Sequence, residues 1–570
     1  MCHTIRVTRL IDHRLRGTWT SEGASAAHIP TKALTWLSER IGPLGTETFP
    51  TVDSEADVPE SALSAAAHTD LCVELGGEYL LTRPAERLGR SGGMSYLDLL
   101  RRRSVGAAAE APVAVPDAVA LPGTAESVQR VLEICRRHDI AVVPFGGGTS
   151  VVGGVAALRG GKSAVVALDL ARHDELISID PVSRVAVLGA GVRGPEAERM
   201  LAAHGFTLGH VPQSFERATI GGFAATRSAG QQSAGYGRFD DMVAGVRLAT
   251  PRGEWRLGVA PRSAAGPDLR ELAVGSEGTL GVITEVAVRV RERPTTSRFE
   301  GVVLDGWECA SRVVRELAQQ DALADVTRLS DSDETDVSLA LSGGATSTAL
   351  RGYLALRGIK QPCILILGWY GRSERDIARR RAATKRLLRG MRAVRLGSAL
   401  GESWRRGRFG GPRQRDALLT AGVCVETLET ATYWSMLSRL RDEVRMALSR
   451  QLGDDKGEPV VMCHISHAYE TGASLYFTVL TPREEQDPFG QWQRAKEAAS
   501  AAISARVGDG EQTLGTITHH HAVGVDHGSH LSREIGETGI AVLSAAKHAV
   551  DPTGILNPGK LLAPSEGAQQ

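Results

Sequence analysis

Three consecutive histidines, His519-His520-His521, are the first side chains in this sequence whose type and spacing suit chemistry. Imidazole has an unperturbed pKa between pH 5 and 8, so such a triplet can bind phosphate or move protons near neutrality. On a strand or turn the rings cannot all face one way, and a solvated polar turn would also account for them. Upstream, His464 and His467 could serve a metal, although such residues more often act as hydrogen-bonded polar side chains. The next chemical feature is made of backbone. Pro144-Phe145-Gly146-Gly147-Gly148-Thr149-Ser150-Val151-Val152-Gly153-Gly154 carries five glycines in eleven residues and follows the apolar run Ile140–Val143. Such a loop turns tightly and brings successive N–H groups against an anion without Cβ interference. A pyrophosphate suits it. The Lys of a Walker loop is missing, and the glycine spacing is not that of a Rossmann turn.

Two more small-residue segments lie downstream. The stretch Gly209–Ser214 leads into Thr219-Ile220-Gly221-Gly222-Phe223-Ala224-Ala225-Thr226-Arg227-Ser228-Ala229-Gly230. That pattern suits either tight helix-to-sheet packing or a wall along which a flat, extended cofactor lies. Gly275-Ser276-Glu277-Gly278-Thr279-Leu280-Gly281-Val282-Ile283-Thr284 forms a third such turn, entering a strand. Between the first two, Gly189-Ala190-Gly191-Val192-Arg193-Gly194 matches G-x-G-x-x-G after a strand, with Glu216 further on. We discount this match, because it leaves the other loops unexplained and no repeated βαβ series starts there.

These segments need a scaffold. At 570 residues the chain exceeds one core, and its length suggests about three or four domains. A mostly helical region at 1–112 ends in an Ala/Pro/Val linker, Ala107–Pro116. A unit at 113–294 closes at Pro294, a second spans 295–515, and a C-terminal segment covers 516–570. In the first unit the periodicity predicts a helix over Ala125–His138 and strands at Ile140–Val143, Ala164–Asp169, Leu176–Asp180 and Ala186–Leu188. A helix at Pro195–His204 and strands at Val243–Thr250 and Gly281–Arg291 follow. Beyond Pro294, strands near Arg298–Leu304, Cys363–Trp369 and Ser474–Leu480 mix with helices at Cys309–Gln320, Arg372–Arg389, Tyr433–Leu452, Gln491–Val507 and Ile540–Val550. The class is α+β. Lys+Arg equals Asp+Glu at 66 each, which gives no electrostatic case for nucleic acid. The odd total of seven cysteines, without a C-x-x-C pair, argues against a disulfide framework. No apolar run reaches the ~18 residues of a membrane span, and the basic N-terminus lacks an apolar segment for secretion. A cytoplasmic location is expected.

In order and spacing the three loop segments resemble the FAD-binding domain of the vanillyl-alcohol-oxidase (PCMH) type flavoproteins. Asp551-Pro552-Thr553-Gly554-Ile555-Leu556-Asn557-Pro558-Gly559-Lys560 resembles the terminal signature of that group. The resemblance implies a two-part FAD-binding domain at 113–294, an α+β substrate-binding cap at 295–515, and a segment at 516–570 that returns to the FAD domain. FAD contacts would fall on Pro144, Phe145, Gly146, Gly147, Gly148, Thr149 and Ser150. Others would fall on Gln213, Ser214, Phe215, Glu216, Arg217, Ala218 and Thr219, and on Thr226, Arg227, Ser228 and Ala229. The last set is Glu277, Gly278, Thr279, Leu280, Gly281, Val282 and Ile283. No His or Cys lies among these contact positions, so the flavin is expected to be non-covalent.

In the 2-hydroxyacid dehydrogenase branch a late G-H-x-G-D-G-N-x-H segment helps to bind a metal. Here the stretch Cys463–Phe477 has Ser474 in place of that Asn and Tyr476 in place of the last His, and no metal is expected. Paired with the histidine triplet, Tyr469-Glu470-Thr471-Gly472-Ala473-Ser474-Leu475-Tyr476-Phe477 resembles instead the alkyldihydroxyacetone-phosphate synthase family. The resemblance implies exchange of the acyl chain of acyl-dihydroxyacetone phosphate for a long-chain alcohol, through an adduct at flavin N5. Tyr476 would be the catalytic proton acceptor, and His519, His520 and His521 would position phosphate or shuttle protons. Arg415 and Arg328 would bind substrate. A phenol or imidazole can accept the proton if its pKa is lowered toward working pH. The expected partners are a phosphorylated lipid-like substrate, a fatty alcohol and a second copy of the chain, with a peripheral membrane contact implied by the lipid. An FAD-linked oxidoreductase acting on a hydroxy acid or alcohol is the alternative. The sequence departs from the family pattern at Gly515-Thr516-Ile517-Thr518, at Ala522 (where Gly is typical), around Leu339–Arg357 and around Arg405–Gly411.

Overall fold

The computed structural model describes residues 13, 29–45, 58–102, 114–342, 344–455, 457–508 and 512–562. Most of the Ala107–Pro116 linker lies outside the described residues. Strands Ala118–Ala120, Ala164–Asp169 and Ile140–Phe145 run parallel, and a short strand at Leu80–Leu81 pairs antiparallel with the first. Every residue of Ala164–Asp169 is buried, as expected where a parallel sheet is covered on both faces. The helix Ala125–Arg137 connects two of these strands. Thr124 caps it by accepting from the Ser127 N–H, and its Val128, Val131, Leu132 and Cys135 stripe is buried.

The second sheet is antiparallel, in the order Leu176–Asp180, Val185–Gly189, Val282–Arg289, Val243–Thr250, Gly253–Leu257. The G-x-G-x-x-G match therefore leaves an antiparallel strand, which is the wrong setting for a dinucleotide turn. Its glycines permit close packing: a Cβ on Gly191 would lie 1.9 Å from the Leu170 carbonyl oxygen, and one on Gly189 2.4 Å from that of His173.

The largest sheet has seven antiparallel strands, ordered Ala393–Gly397, Thr296–Asp305, Pro362–Gly371, Val326–Ser330, Val460–Ile465, Gly472–Pro482, Val423–Tyr433. Helices Trp307–Gln319, Glu374–Arg389, Leu437–Leu452 and Pro488–Ile503 share one apolar core with this sheet, and the short helix Tyr96–Arg101 joins it. The expected Tyr433–Leu452 helix begins only at Leu437, because Tyr433 ends a strand. That strand went unpredicted, as did Val326–Ser330 and Val460–Ile465. Val423–Tyr433 buries Glu426, Glu429 and Thr430, so its pattern is not the apolar one of a buried strand. The last helix runs over Leu531–Val550 with a break at Gly536, where φ is 71°. Among the described residues no helix is long and apolar enough to cross a membrane.

Candidate active site

The three glycine-rich segments meet. A Cβ on Gly146 would lie 2.5 Å from Thr219 Oγ1, one on Gly147 2.4 Å from the Arg217 carbonyl oxygen, and one on Gly278 2.8 Å from the Pro144 ring. Glu277 N–H donates to the Ala225 carbonyl at 3.0 Å and Gly275 N–H to that of Ala224 at 2.9 Å. Arg227 and Glu277 hold φ of 50° and 55° without being glycine, a strain typical of binding sites. Gly147 and Gly148 are buried, yet among the described residues the amides from Gly147 to Ser150 donate to no protein acceptor. Buried N–H groups are normally paired. A row of unclaimed donors in a loop that tolerates no added Cβ fits the diphosphate of FAD.

The predicted contacts are distributed unevenly around that row. Thr219 caps the helix Ile220–Ala225 by accepting from Gly222 N–H. Phe215 stacks on Phe409 at 5.9 Å and Glu216 is ion-paired with Arg413, which ties this turn to the cap. Arg217 turns inward, donating from Nε to the Gly147 carbonyl at 2.8 Å, with His13 Nδ1 3.0 Å from its Nη2. Arg227 is paired with Glu271 at 3.1 Å and Asp240 at 3.4 Å, and Ser228 Oγ sits 3.1 Å from His210 Nε2.

The C-terminal signature closes the cradle. Val142 and Asn557 exchange backbone bonds with this segment, Val142 N–H to Ile555 O and Asn557 N–H to Val142 O, both at 2.8 Å. Asn557 Nδ2 donates to the Glu277 carbonyl at 2.6 Å, and Lys547 Nζ to that of Thr279 at 2.9 Å. The Glu277 carboxylate accepts Val523 N–H at 2.8 Å and Gly524 N–H at 2.7 Å. Burial pushes its pKa up to about 7, against those two bonds. Glu277 thus joins the third glycine segment to the chain that leaves the histidine triplet.

Strand register places Tyr476 opposite Glu429 on one neighbour and His464 on the other. Glu429 is the residue that sequence reasoning missed. Its buried carboxylate accepts the backbone N–H groups of His519, His520 and His521 at 2.7, 3.0 and 2.8 Å, and the Thr518 hydroxyl at 2.7 Å. Burial opposes its ionisation, but His520 beside it holds its pKa well below the usual range. One carboxylate therefore fixes the whole triplet. Ala522 follows at φ 77°, a left-handed conformation that accounts for the family's glycine at this position.

Tyr476 lies flat on His464, with centroids 4.8 Å apart and planes at 15°, and has His521 edge-on at 5.4 Å and His520 at 6.1 Å. Burial pushes its phenol pKa up, opposed by a hydrogen bond with Thr427 and by Arg415. Tyr476 is half-buried, and the shift runs upward, away from a resting tyrosinate. Arg328 donates to Glu334 at 2.6 Å and Ser330 at 2.6 Å, with His464 Nδ1 at 3.0 Å. Arg415 donates to the Met94 carbonyl at 2.6 Å and Thr427 at 3.2 Å, and pairs with Glu426 at 3.1 Å. Both guanidinium groups thus stand one side chain from Tyr476, each with a resident carboxylate. Burial also lowers the pKa of His521 to about 3 and keeps His519 and His467 well below the usual imidazole value. Ring nitrogens of His467, His519 and His520 lie within 4.8 Å of one another. Both nitrogens of His467 are engaged, Nε2 with the Gly230 carbonyl at 3.0 Å and Nδ1 with Ser474 Oγ at 3.2 Å, so these rings form a hydrogen-bonded cluster rather than an open ligand set.

Comparison with known proteins agrees with this geometry. Residues 116–257 match the family model described as FAD binding domain, and residues 293–561 the one described as FAD linked oxidases, C-terminal domain. Alkyldihydroxyacetonephosphate synthase of Dictyostelium discoideum is 32% identical over 486 residues, covering 84% of this chain and 77% of that protein. A solved structure of alkyldihydroxyacetonephosphate synthase superposes with a TM-score of 0.77 at 26% identity, covering 92% of each chain. The 4-ethylphenol oxidase of Gulosibacter chungangensis shares the fold, with a TM-score of 0.64 at 14% identity, over 91% of this chain and 100% of that one. The chain is an FAD-dependent enzyme, and it belongs to the alkyldihydroxyacetonephosphate synthase family.

Proposed function

We propose that the enzyme exchanges the acyl chain of acyl-dihydroxyacetone phosphate for a long-chain alcohol, with FAD bound non-covalently. The observation that carries this reading is the direct link between cradle and triplet: Glu277, in the third cofactor segment, takes the amides of Val523 and Gly524 just beyond His521. When bound, the flavin supplies a ring system that takes up and returns an electron pair, so the exchange needs no outside oxidant. The protein's own groups handle protons and charge. His520, partly open beside Tyr476, accepts the proton from the carbon next to the carbonyl. Tyr476, kept neutral by burial, donates a hydrogen bond to a substrate oxygen. Arg328 and Arg415 bring guanidinium forks, which suit phosphate, and their carboxylate partners hold them in place.

Purified protein should be yellow and release free FAD on denaturation. Palmitoyl-dihydroxyacetone phosphate should bleach the flavin, and hexadecanol should restore it without air. Bleaching by simple 2-hydroxyacids with reduction of a dye would favour the oxidoreductase alternative instead. Tyr476→Phe should lower turnover by on the order of 10²-fold or more with FAD retained; full activity in that variant would remove Tyr476 from the mechanism.

A further inference from the structure

The exchange proposed above releases a proton. Breaking the ester-side C–O bond and forming the ether C–O bond converts acyl ester plus alcohol into ether plus a carboxylic acid. That acid leaves as carboxylate at neutral pH, so one proton per turnover must reach solvent. The histidine cluster is largely enclosed, and a hydrogen-bonded path leads out of it. His520 Nδ1 lies 2.9 Å from His519 Nδ1, and His519 Nε2 lies 2.6 Å from the hydroxyl of Tyr469. Tyr469 is 37% exposed, and the Arg238 guanidinium lies close enough to act on its phenol. We propose that His520, His519 and Tyr469 form a relay that carries this proton from the reaction pocket to solvent. The inference rests on the exchange reading.

Each transfer balances. A proton arrives on His520 Nε2, and the Nδ1 proton of His520 passes to His519 Nδ1. The Nε2 proton of His519 then passes to the Tyr469 oxygen, whose own proton leaves to water. Both rings end neutral. Glu429 fixes the relay by holding the backbone of His519 and His520, and His467 packs 5.1 Å and 5.4 Å from their rings. Burial pushes the Tyr469 phenol up to about 12, opposed by Arg238, which is itself paired with Asp240 at 3.0 Å, so the phenol passes one proton on as it takes another and does not rest ionised. Asp241 adds an opposing charge nearby.

The test uses the full-length holoenzyme with palmitoyl-dihydroxyacetone phosphate and hexadecanol. Tyr469→Phe keeps the ring and removes the carrier. Its kcat should fall about 10-fold or more with KM little changed, and added imidazole should restore it. Tyr469→His should stay active, since imidazole can carry the proton. Wild-type kcat in Tyr469→Phe overturns the relay, and so does an equal loss in both variants that imidazole does not restore. A wild type that makes no ether product overturns the exchange reading itself, a separate outcome.

Discussion

Glu429 holds the histidine triplet from beneath. Four donors converge on its buried carboxylate, and three are consecutive backbone amides of the triplet. Glu429→Gln keeps the shape but turns an NH2 group toward donors, leaving buried hydrogens opposed. Hydrogen bonds to charged groups contribute about 1.5–3 kcal/mol each, so chemical denaturation should show a loss of about 3 kcal/mol, and turnover should fall with it. A variant as stable and active as the wild type would mean that the triplet holds itself. The sequence made the two kinds of residue unequally visible. His519, His520, His521 and Tyr476 declare themselves by type. Glu429 does not, because its role arises from strand register opposite Tyr476 and from a loop that returns from far along the chain. The phenol shows the converse: its identity was legible, but the rise in its pKa follows from enclosure, which no local pattern records.

Among the elements, the glycine loop at Pro144–Ser150 makes the sharpest demand. Its glycines are required because Thr219 Oγ1, the Arg217 carbonyl oxygen and the Phe145 ring fill the places where Cβ atoms of Gly146, Gly147 and Gly148 would be. Gly147→Ala would set a methyl group 2.4 Å from the Arg217 carbonyl oxygen, so the loop must move. The expected result is folded protein with much less bound flavin, read from absorbance per chain and from circular dichroism. Normal flavin content would show that the loop has slack. Such a loop is legible in sequence because glycine leaves a compositional mark. The parallel strand Ala164–Asp169 was legible to the residue for a similar reason, a continuous apolar run. Val423–Tyr433 was not, since its buried Glu426, Glu429 and Thr430 look like surface positions until their partners are known. A strand that carries polar residues inward hides from apolar patterning.

On the scale of the whole molecule, several imidazoles are buried in the neutral form. Burial lowers His173 to about 4, His210 to about 3 and His527 to about 4. Their folded pKa values lie below the unfolded value of about 6.5. Their stabilisation is therefore complete above that value and is lost as pH falls toward 4, by roughly 2 kcal/mol for each by pH 5. Glu277, raised to about 7, has the opposite sign and favours the fold at low pH, but it is one group against three. Melting temperature should drop steeply between pH 6.5 and 4, and a flat profile from pH 7 to 5 would contradict the buried neutral assignment. The return of Asp551–Lys560 onto Val142, Gly154 and Glu277 also orders events in time. A polypeptide still on the ribosome carries its glycine loop for some four hundred residues before the strap that backs it is made, at a synthesis rate of about 5–20 residues per second. For tens of seconds the nascent protein has half a nucleotide pocket, and a polypeptide stopped just short of Asp551 should keep most of its mass and little of its colour.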